Sequence, residues 1–251
     1  MGGSSLNKPT LVINGKRTDG RDFNELRKIK ITAAPLENAS GSAYLEWGNN
    51  KILAAVYGPR EVNPRHLADS TKAILKCRYA MAPFSSLSEH GRSGPNRRAT
   101  EISKVVKEVF ENAILLSEFP GSQIEIYIEI LQGDGGTRAA GITAAAVALA
   151  TSGIQMRDLP YAVSVGKIGE DLALDFNMIE DNYSDSDVPM AISPRNNEVL
   201  LLQMDGHMTK EEMSKAIDMA IDAGKIISAE QRRALKELYE LRGESNHLKG
   251  E

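Results

Sequence analysis

Residues 123–150 read QIEIYIEILQGDGGTRAAGITAAAVALA and contain a strand, a glycine-rich loop and a helix in direct succession. The first part alternates isoleucine with mostly polar residues at a period of two, which is the pattern of a β-strand. The last part, residues 139–150, is so rich in alanine and glycine that we expect this helix to pack closely against a sheet. Gly153 is predicted to end the helix.

A second helix is predicted just before this strand. Residues 97–117 place apolar side chains at intervals of three and four, which indicates an amphipathic helix with one buried face. Residues 82–95, rich in Ser, Gly and Pro, are predicted to form a mobile loop in front of it. The apolar face consists of Ile102, Val105, Val106, Val109, Phe110, Ala113 and Ile114.

Short apolar segments on both sides of this centre predict further strands. The turn Gly48-Asn49-Asn50 separates two of them, so we expect the chain to open with a β-meander. Thr209, which is followed by acidic residues, is predicted to cap a last helix that extends to about Leu241. The other predicted strands cover residues 28–33, 43–47, 51–57, 73–81, 162–168, 172–178, 190–193 and 199–204.

Together these elements predict one compact α+β domain made of two β-sheet-and-helix lobes. The lobes would cover about residues 16–153 and 154–241, between a polar segment at 1–15 and a charged tail at 242–251. The apolar runs fall short of the ~20 residues that a membrane span requires, and the start carries no apolar signal core. We therefore expect a cytoplasmic protein with no membrane partner. The single cysteine, Cys77, excludes an internal disulfide framework.

Charge is distributed unevenly along the chain. The formal net charge of −4 argues against an indiscriminate nucleic-acid binder, because such proteins are usually basic. Residues 59–98 nevertheless contain eight Lys or Arg against three acids, whereas residues 168–187 contain seven acids and no Lys or Arg. The fold must therefore accommodate a basic and an acidic segment.

The motif Gly133-Asp134-Gly135-Gly136-Thr137-Arg138 stands between the predicted strand and the alanine-rich helix. Glycines let the backbone approach a ligand, the first amides of a helix are free donors, and the helix dipole favours an anion there. Thr137 is predicted to be the N-cap, and Arg138 offers a guanidinium suited to phosphate. The motif lacks the Gly-Lys-Ser/Thr of a P-loop. A plain tight turn is the alternative.

Arg97 and Arg98 form a second candidate site, at the predicted start of a helix behind Asn96. Cations are unfavourable at this end of a helix dipole, so two of them together indicate an external anion. With Arg60, Arg65 and His66 from an earlier loop, they would suit successive phosphates of a single strand. A solvated basic face is the alternative.

The acidic run from Glu180 to Asp187 is the third candidate. Crowded carboxylates raise one another's pKa, so that one of them can keep a proton near neutral pH and act as a general acid. A pair of them can also bind Mg²⁺ through oxygen ligands. The run does not follow the EF-hand pattern, and an acidic surface turn is the alternative.

In this order, these motifs resemble the ribonuclease PH family over about residues 16–241. The residues that carry the resemblance are Thr18-Asp19-Gly20-Arg21, Gly58-Pro59-Arg60, Arg97-Arg98, the motif at 133–138, and Glu180-Asp181 with Asp187. Residues 63–67 and 97–104 are most similar to the catalytic ribonuclease PH-like subunit of the archaeal exosome. The resemblance implies a ribonuclease PH-type fold, in which two lobes have the topology of domain 2 of ribosomal protein S5.

The resemblance also implies a reaction and residue roles. Inorganic phosphate would attack the last phosphodiester of an RNA and release a nucleoside 5′-diphosphate, and the reverse reaction would extend RNA. Asp181 would protonate the leaving ribose oxygen, while Asp187 would support it or, with Asp181, hold Mg²⁺. Gly136, Thr137 and Arg138 would hold phosphate, and Arg97, Arg98, Arg65 and His66 would bind single-stranded RNA.

The implied assembly is a ring in which three copies of this chain alternate with three copies of a related non-catalytic subunit, capped by RNA-binding proteins. Two alternatives remain open at this point. One is a homo-oligomeric ribonuclease PH that trims transfer RNA, and the other is a non-catalytic ring scaffold. The joint presence of Arg138 and Asp181 counts against the scaffold, which needs neither.

Overall fold

The computed structural model describes residues 9–86 and 97–247, with side chains described as far as Leu241. In chain order its strands are β1 Val12–Ile13, β2 Lys16–Arg17, β3 Ile29–Ala33, β4 Gly41–Trp47, β5 Asn50–Glu61, β6 Ile74–Met81, β7 Ser122–Gln132, β8 Tyr161–Ile168, β9 Asp171–Leu174, β10 Ser186–Ser193, β11 Glu198–Leu202 and β12 Asp205–Gly206. The α-helices are α1 Arg97–Ala113, α2 Thr137–Thr151, α3 Met178–Tyr183 and α4 Lys210–His247.

The first sheet has the order β3-β4-β5-β7-β6. Its first three strands follow one another as antiparallel neighbours, and Trp47 faces Asn50 across a two-residue turn, which confirms the predicted meander. β7 is antiparallel to β5 and parallel to β6, and α1 makes the crossover between β6 and β7. The apolar face predicted for α1 is buried.

The second sheet has the order β11-β10-β8-β9, and β12 pairs with the end of β10. α4 packs against β8 and also against β3, so it contacts both sheets. It begins as predicted, because the Thr209 hydroxyl accepts from the Glu212 amide and the Glu212 carboxylate accepts from the Thr209 amide. Within the described residues, no helix combines the length and apolarity needed to cross a membrane.

α2 lies at the centre of the molecule. It packs against β4, β5 and β7 of the first sheet and against β8 and β10 of the second, so nearly every residue in it is buried. The approach to β4 is close enough to require glycine, since a Cβ at Gly41 would lie 2.2 Å from the Ala148 carbonyl oxygen. This confirms the close packing predicted from the alanine and glycine content.

The structure corrects several predicted boundaries. The strand predicted over residues 172–178 ends at Leu174, because Asp175 adopts a left-handed conformation with φ of 58° and Asn177 then caps α3. The helix predicted over residues 97–117 ends at Ala113. Leu11 is buried in a small apolar cluster with Phe176. Most of the predicted loop at 82–95 lies outside the described residues.

Candidate active site

A cavity of about 510 Å³ opens where the N-terminus of α2 meets the second sheet. Its walls come from the starts of α1 and α2, from α3, from β8 and β10, and from the segment that joins β11 to β12. Six residues singled out in the sequence line this one cavity: Arg98, Gly136, Thr137, Arg138, Asp181 and Asp187.

The glycine-rich loop reaches the cavity through two consecutive left-handed residues. Gly135 has φ of 68° and Gly136 has φ of 65°, a conformation that other residues rarely adopt. Gly135 also touches Asn177, since a Cβ there would lie 2.5 Å from the Asn177 carbonyl carbon. The Asn50 side chain clamps the loop, because it accepts from the Asp134 amide at 2.6 Å and donates to the Gly135 carbonyl at 2.8 Å.

Thr137 is the first residue of α2, and Gly136 occupies the N-cap position, so the predicted N-cap role of Thr137 is wrong. With the left-handed Gly136 as N-cap, the helix starts at Thr137, one residue earlier than it would with Thr137 as the cap. The Thr137 hydroxyl instead forms a 2.8 Å hydrogen bond with the hydroxyl of Tyr79 on β6. Arg138 donates from Nη1 to Oε1 of Gln203, which holds the guanidinium on the cavity wall.

The acidic run separates into groups with different surroundings. Glu180 is fully buried and pairs with Arg17, whereas Asp181 on α3 and Asp187 on β10 line the cavity. Burial raises the pKa of Asp181 although the charges of Arg98 and Arg138 oppose it. Burial also raises the pKa of Asp187 to about 6; a hydrogen bond from Ser164 opposes this shift and the charge of Asp181 adds to it. The run is therefore a short helix and a strand end, and not a surface turn.

The other predicted RNA-binding residues lie outside the cavity wall. Arg97 is exposed at the start of α1, beside Arg98. Arg65 and His66 are exposed in the 3₁₀ turn Arg65–Leu67 after β5, where Arg65 pairs with Glu61 at 2.6 Å. This turn follows the end of β5 that lies beside the start of β7, whereas the glycine-rich loop follows the other end of β7. At ~3.3 Å per residue, the two ends of β7 are roughly 30 Å apart.

Four further polar residues on the cavity wall were not predicted from the sequence: Glu101, Ser164, Gln203 and Asp205. Glu101 lies one turn after Arg98 on α1, and that helical spacing is a signal that could have found it. Asp205 reaches the site because β12 pairs with β10 and places it opposite Asp187. This pairing of distant segments leaves no local pattern in the sequence.

Asp181 and Asp187 are the two residues that the sequence predicts to hold a metal, through their carboxylate oxygens. Within residues 9–86 and 97–247, no group of three or more His, Cys, Asp or Glu side chains gathers in a metal-binding arrangement. Two carboxylates still suit Mg²⁺, which often takes its remaining ligands from water and substrate phosphate. The donor set therefore fits a cation that binds together with substrate.

Comparisons with known proteins agree with this geometry. Residues 25–155 match the sequence profile of the 3′ exoribonuclease family, domain 1, and residues 158–223 match domain 2 of the same family. The chain is 55% identical over 226 residues to the exosome complex component Rrp41 of Pyrococcus furiosus, with 90% of each chain covered. It is 51% identical over 227 residues to Rrp41 of Thermoplasma volcanium, which covers 90% of this chain and 91% of the relative.

Solved structures show the same fold. Rice Rrp46 superposes with a TM-score of 0.79 and 26% identity, covering 88% of this chain and 100% of the rice chain. A chain of the Archaeoglobus fulgidus exosome with RNA bound to the active site superposes with a TM-score of 0.75 and 22% identity, covering 86% and 92% of the two chains. With both family domains matched in order over most of its length, the chain belongs to the 3′ exoribonuclease, or RNase PH, family.

Proposed function

We propose that this chain is a phosphate-dependent 3′→5′ exoribonuclease and the catalytic subunit of an exosome-type ring. It releases nucleoside 5′-diphosphates from single-stranded RNA and, in reverse, extends RNA from nucleoside diphosphates. The observation that carries the proposal is that one cavity holds an anion-binding helix start, two arginines and two carboxylates that retain protons more readily than ordinary carboxylates.

Inorganic phosphate binds at the start of α2, held by the backbone of Gly136 and Thr137 and by the Arg138 guanidinium. Arg98 binds the last phosphodiester of the RNA beside it, so that the negative charges of the two anions are offset as they approach. A phosphate oxygen attacks the phosphorus, and the bond from that phosphorus to the O3′ of the preceding ribose breaks. The products are a nucleoside 5′-diphosphate and an RNA shorter by one nucleotide.

The departing O3′ needs a proton, which Asp181 donates. The raised pKa of Asp181 and Asp187 means that this pair holds a proton at a pH where an isolated aspartate would not. Asp187 retains or returns the proton within the pair, and Ser164 orients its carboxylate. A Mg²⁺ ion bound to Asp181 and Asp187 would add positive charge beside the reacting phosphates.

RNA reaches this cavity as a single strand. Arg97 extends the positive charge of Arg98 outward along the start of α1. Arg65 and His66 contact the strand farther from its 3′ end, because their turn lies at the opposite end of the first sheet. The exposed Arg65–Glu61 pair is worth little in water, so Arg65 can exchange it for an RNA phosphate.

The relatives named as exosome complex components support an assembly in which this chain alternates with a related non-catalytic subunit in a ring of six, under RNA-binding cap proteins. The two domain matches support a division of the catalytic unit into two lobes. A cytoplasmic location and a metal requirement both stay predictions.

The deciding experiment is to incubate single-stranded RNA with the purified chain, alone and with its ring partner, with and without phosphate, and to chromatograph the nucleotides released. Nucleoside diphosphates that require phosphate and are lost in Asp181→Ala would support the proposal. Nucleoside monophosphates from hydrolysis, or no product in the full assembly, would overturn it. Full activity of the chain alone would favour a homo-oligomeric ribonuclease PH.

A further inference from the structure

Arg27 contacts the glycine-rich loop through the carbonyl groups of two of its residues. Its Nη1 donates to the Asp134 carbonyl and its Nη2 donates to the Gly135 carbonyl at 3.3 Å. Arg27 lies in the segment between β2 and β3 and is not part of the cavity wall. It therefore holds the loop without reaching the position of a ligand.

Holding the carbonyl groups of Asp134 and Gly135 in place also sets the direction of the N–H groups of Gly135 and Gly136. A peptide unit is planar and trans, so the N–H of the next residue points opposite to the carbonyl. With the carbonyls of Asp134 and Gly135 held toward Arg27, the N–H groups of Gly135 and Gly136 point away from it, and Gly136 lines the cavity. Free N–H groups at a helix start are what an anion binds.

Arg27 is in turn held by the buried carboxylate of Asp175. Arg27 donates to Asp175 from its backbone N at 2.8 Å, from Nε at 3.0 Å and from Nη2 at 2.6 Å. The indole Nε1 of Trp47 donates to the same carboxylate at 2.9 Å. Both charged side chains are more than nine-tenths buried, so this pair fixes one orientation of the guanidinium.

We propose that Arg27, fixed by Asp175, is a positioning residue that sets the amides of the glycine-rich loop for inorganic phosphate. The proposal rests on the proposed function, since it concerns the phosphate site of the same reaction. Lysine cannot replace Arg27, because one ammonium cannot reach two carbonyls and two carboxylate oxygens in fixed directions.

Arg21 offers a matched control. Its side chain is as buried as that of Arg27 and its Nη1 lies 3.4 Å from Oδ2 of the same Asp175, but its other hydrogen bonds go to Asp19 and to the Glu25 carbonyl. Arg21→Lys therefore perturbs the buried charges without releasing the loop. Asn50→Ser is a second test variant, because it removes another donor to the Gly135 carbonyl and leaves no buried charge unpaired.

The first measurement is calorimetric titration of inorganic phosphate into the full-length chain, with urea unfolding of each variant as a check on folding. We expect Arg27→Lys to weaken phosphate binding at least about tenfold and Asn50→Ser several-fold, while Arg21→Lys changes it by less than about threefold. The positioning role is overturned if the unchanged chain does not bind phosphate, if Arg27→Lys and Asn50→Ser both bind it normally, or if Arg21→Lys weakens it as much as Arg27→Lys.

The second measurement is phosphorolysis by the assembled enzyme. Arg27→Lys should raise the KM for phosphate and leave the KM for RNA unchanged, a split that a general loss of folded protein would not produce. Normal phosphate KM in an active Arg27→Lys enzyme overturns the positioning role alone. Phosphate binding that depends on Arg27, without release of nucleoside diphosphates by any assembly, would support the positioning role and defeat the proposed reaction.

Discussion

The hydroxyl of Ser164 on β8 donates a hydrogen bond to the Asp187 carboxylate on the neighbouring strand β10. A hydrogen bond of this kind favours the charged carboxylate and lowers its pKa. Burial outweighs it, so that the pKa of Asp187 rises to about 6. Asp187 is thus held in a defined orientation at a position that disfavours its charge.

Asp187→Asn should stabilise the fold at neutral pH. Since the folded pKa exceeds the ordinary value of 3.8, the charged carboxylate costs stability above about pH 6, and this cost disappears as the pH falls to about 4. We expect a gain of about 1–3 kcal/mol in the free energy of unfolding at pH 7.5. Urea titration in EDTA at pH 7.5 and pH 4 would measure it. An equal gain at both pH values would contradict the explanation, and the exposed Asp171→Asn serves as control.

Asp181→Asn should lower kcat by about 10²- to 10⁴-fold, the usual loss when a general acid is removed. The KM for phosphate should change little, because the amide keeps the shape of the carboxyl group and loses only its ability to donate a proton to the leaving oxygen. In the unchanged enzyme the rate should fall as the pH rises through the raised pKa of the pair. Asp185→Asn, in the same segment but outside the cavity wall, is the control. If Asp181→Asn had the same kcat as the unchanged enzyme, Asp181 would not be the general acid.

Arg138→Lys should raise the KM for phosphate about 10- to 100-fold, because lysine loses the forked donors that arginine offers to a phosphate. The release of nucleoside diphosphates at increasing phosphate concentration would measure this change. Arg195 is exposed and lies outside the cavity. The control variant Arg195→Lys should therefore have the same KM for phosphate as the unchanged chain. An unchanged KM in Arg138→Lys would mean that phosphate binds elsewhere.

The double variant Arg65→Ala, His66→Ala should weaken the binding of long RNAs and spare substrates of a few nucleotides. The turn lies roughly 30 Å from the glycine-rich loop along β7, which a short RNA cannot span. Each lost phosphate contact should also reduce the slope of log affinity against log salt by about 0.7. Equal losses of affinity for short and long RNAs would mean that Arg65 and His66 contact the RNA close to its 3′ end. Lys236→Ala on α4 is the control.

The buried pair of Arg17 and Glu180 should be sensitive to removal of either partner. Both side chains are fully shielded from solvent, and Nη2 of Arg17 lies 2.5 Å from Oε2 of Glu180. Arg17→Met should cost about 3–5 kcal/mol of unfolding free energy, because it leaves the buried Glu180 carboxylate with only the longer 3.7 Å ion pair to Arg21. Adding Glu180→Gln to Arg17→Met should recover part of that loss in urea titrations. A double variant less stable than the single one would contradict this account.

Much of the fold was predictable because its periodic segments are long. The alternation of β7, the apolar stripe of α1 and the alanine-rich α2 all appear in the sequence and are confirmed. The end of β9 was not predictable in this way. Residues 172–178 look continuous in sequence, but the left-handed Asp175 turns the chain there because its carboxylate is held by Arg27 and Trp47.

The candidate site was predictable where the chemistry lies within one motif. Residues 136–138 and the acidic run pointed to the cavity wall, and Arg98 joins them because α1 begins there. Arg27, Ser164 and Gln203 were missed, because each acts through a partner that is far away in the chain. Only the three-dimensional pairing of these residues shows what they hold.

α2 carries the proposed anion site on its first turn and also fills the space between the two sheets. The close approach of the Ala148 carbonyl to Gly41 fixes α2 against β4 of the first sheet. The position of the proposed phosphate site is therefore set by the packing of α2 in the resting protein. Under the proposed function, phosphate would therefore be selected over water as the attacking nucleophile by a shape that exists before RNA arrives.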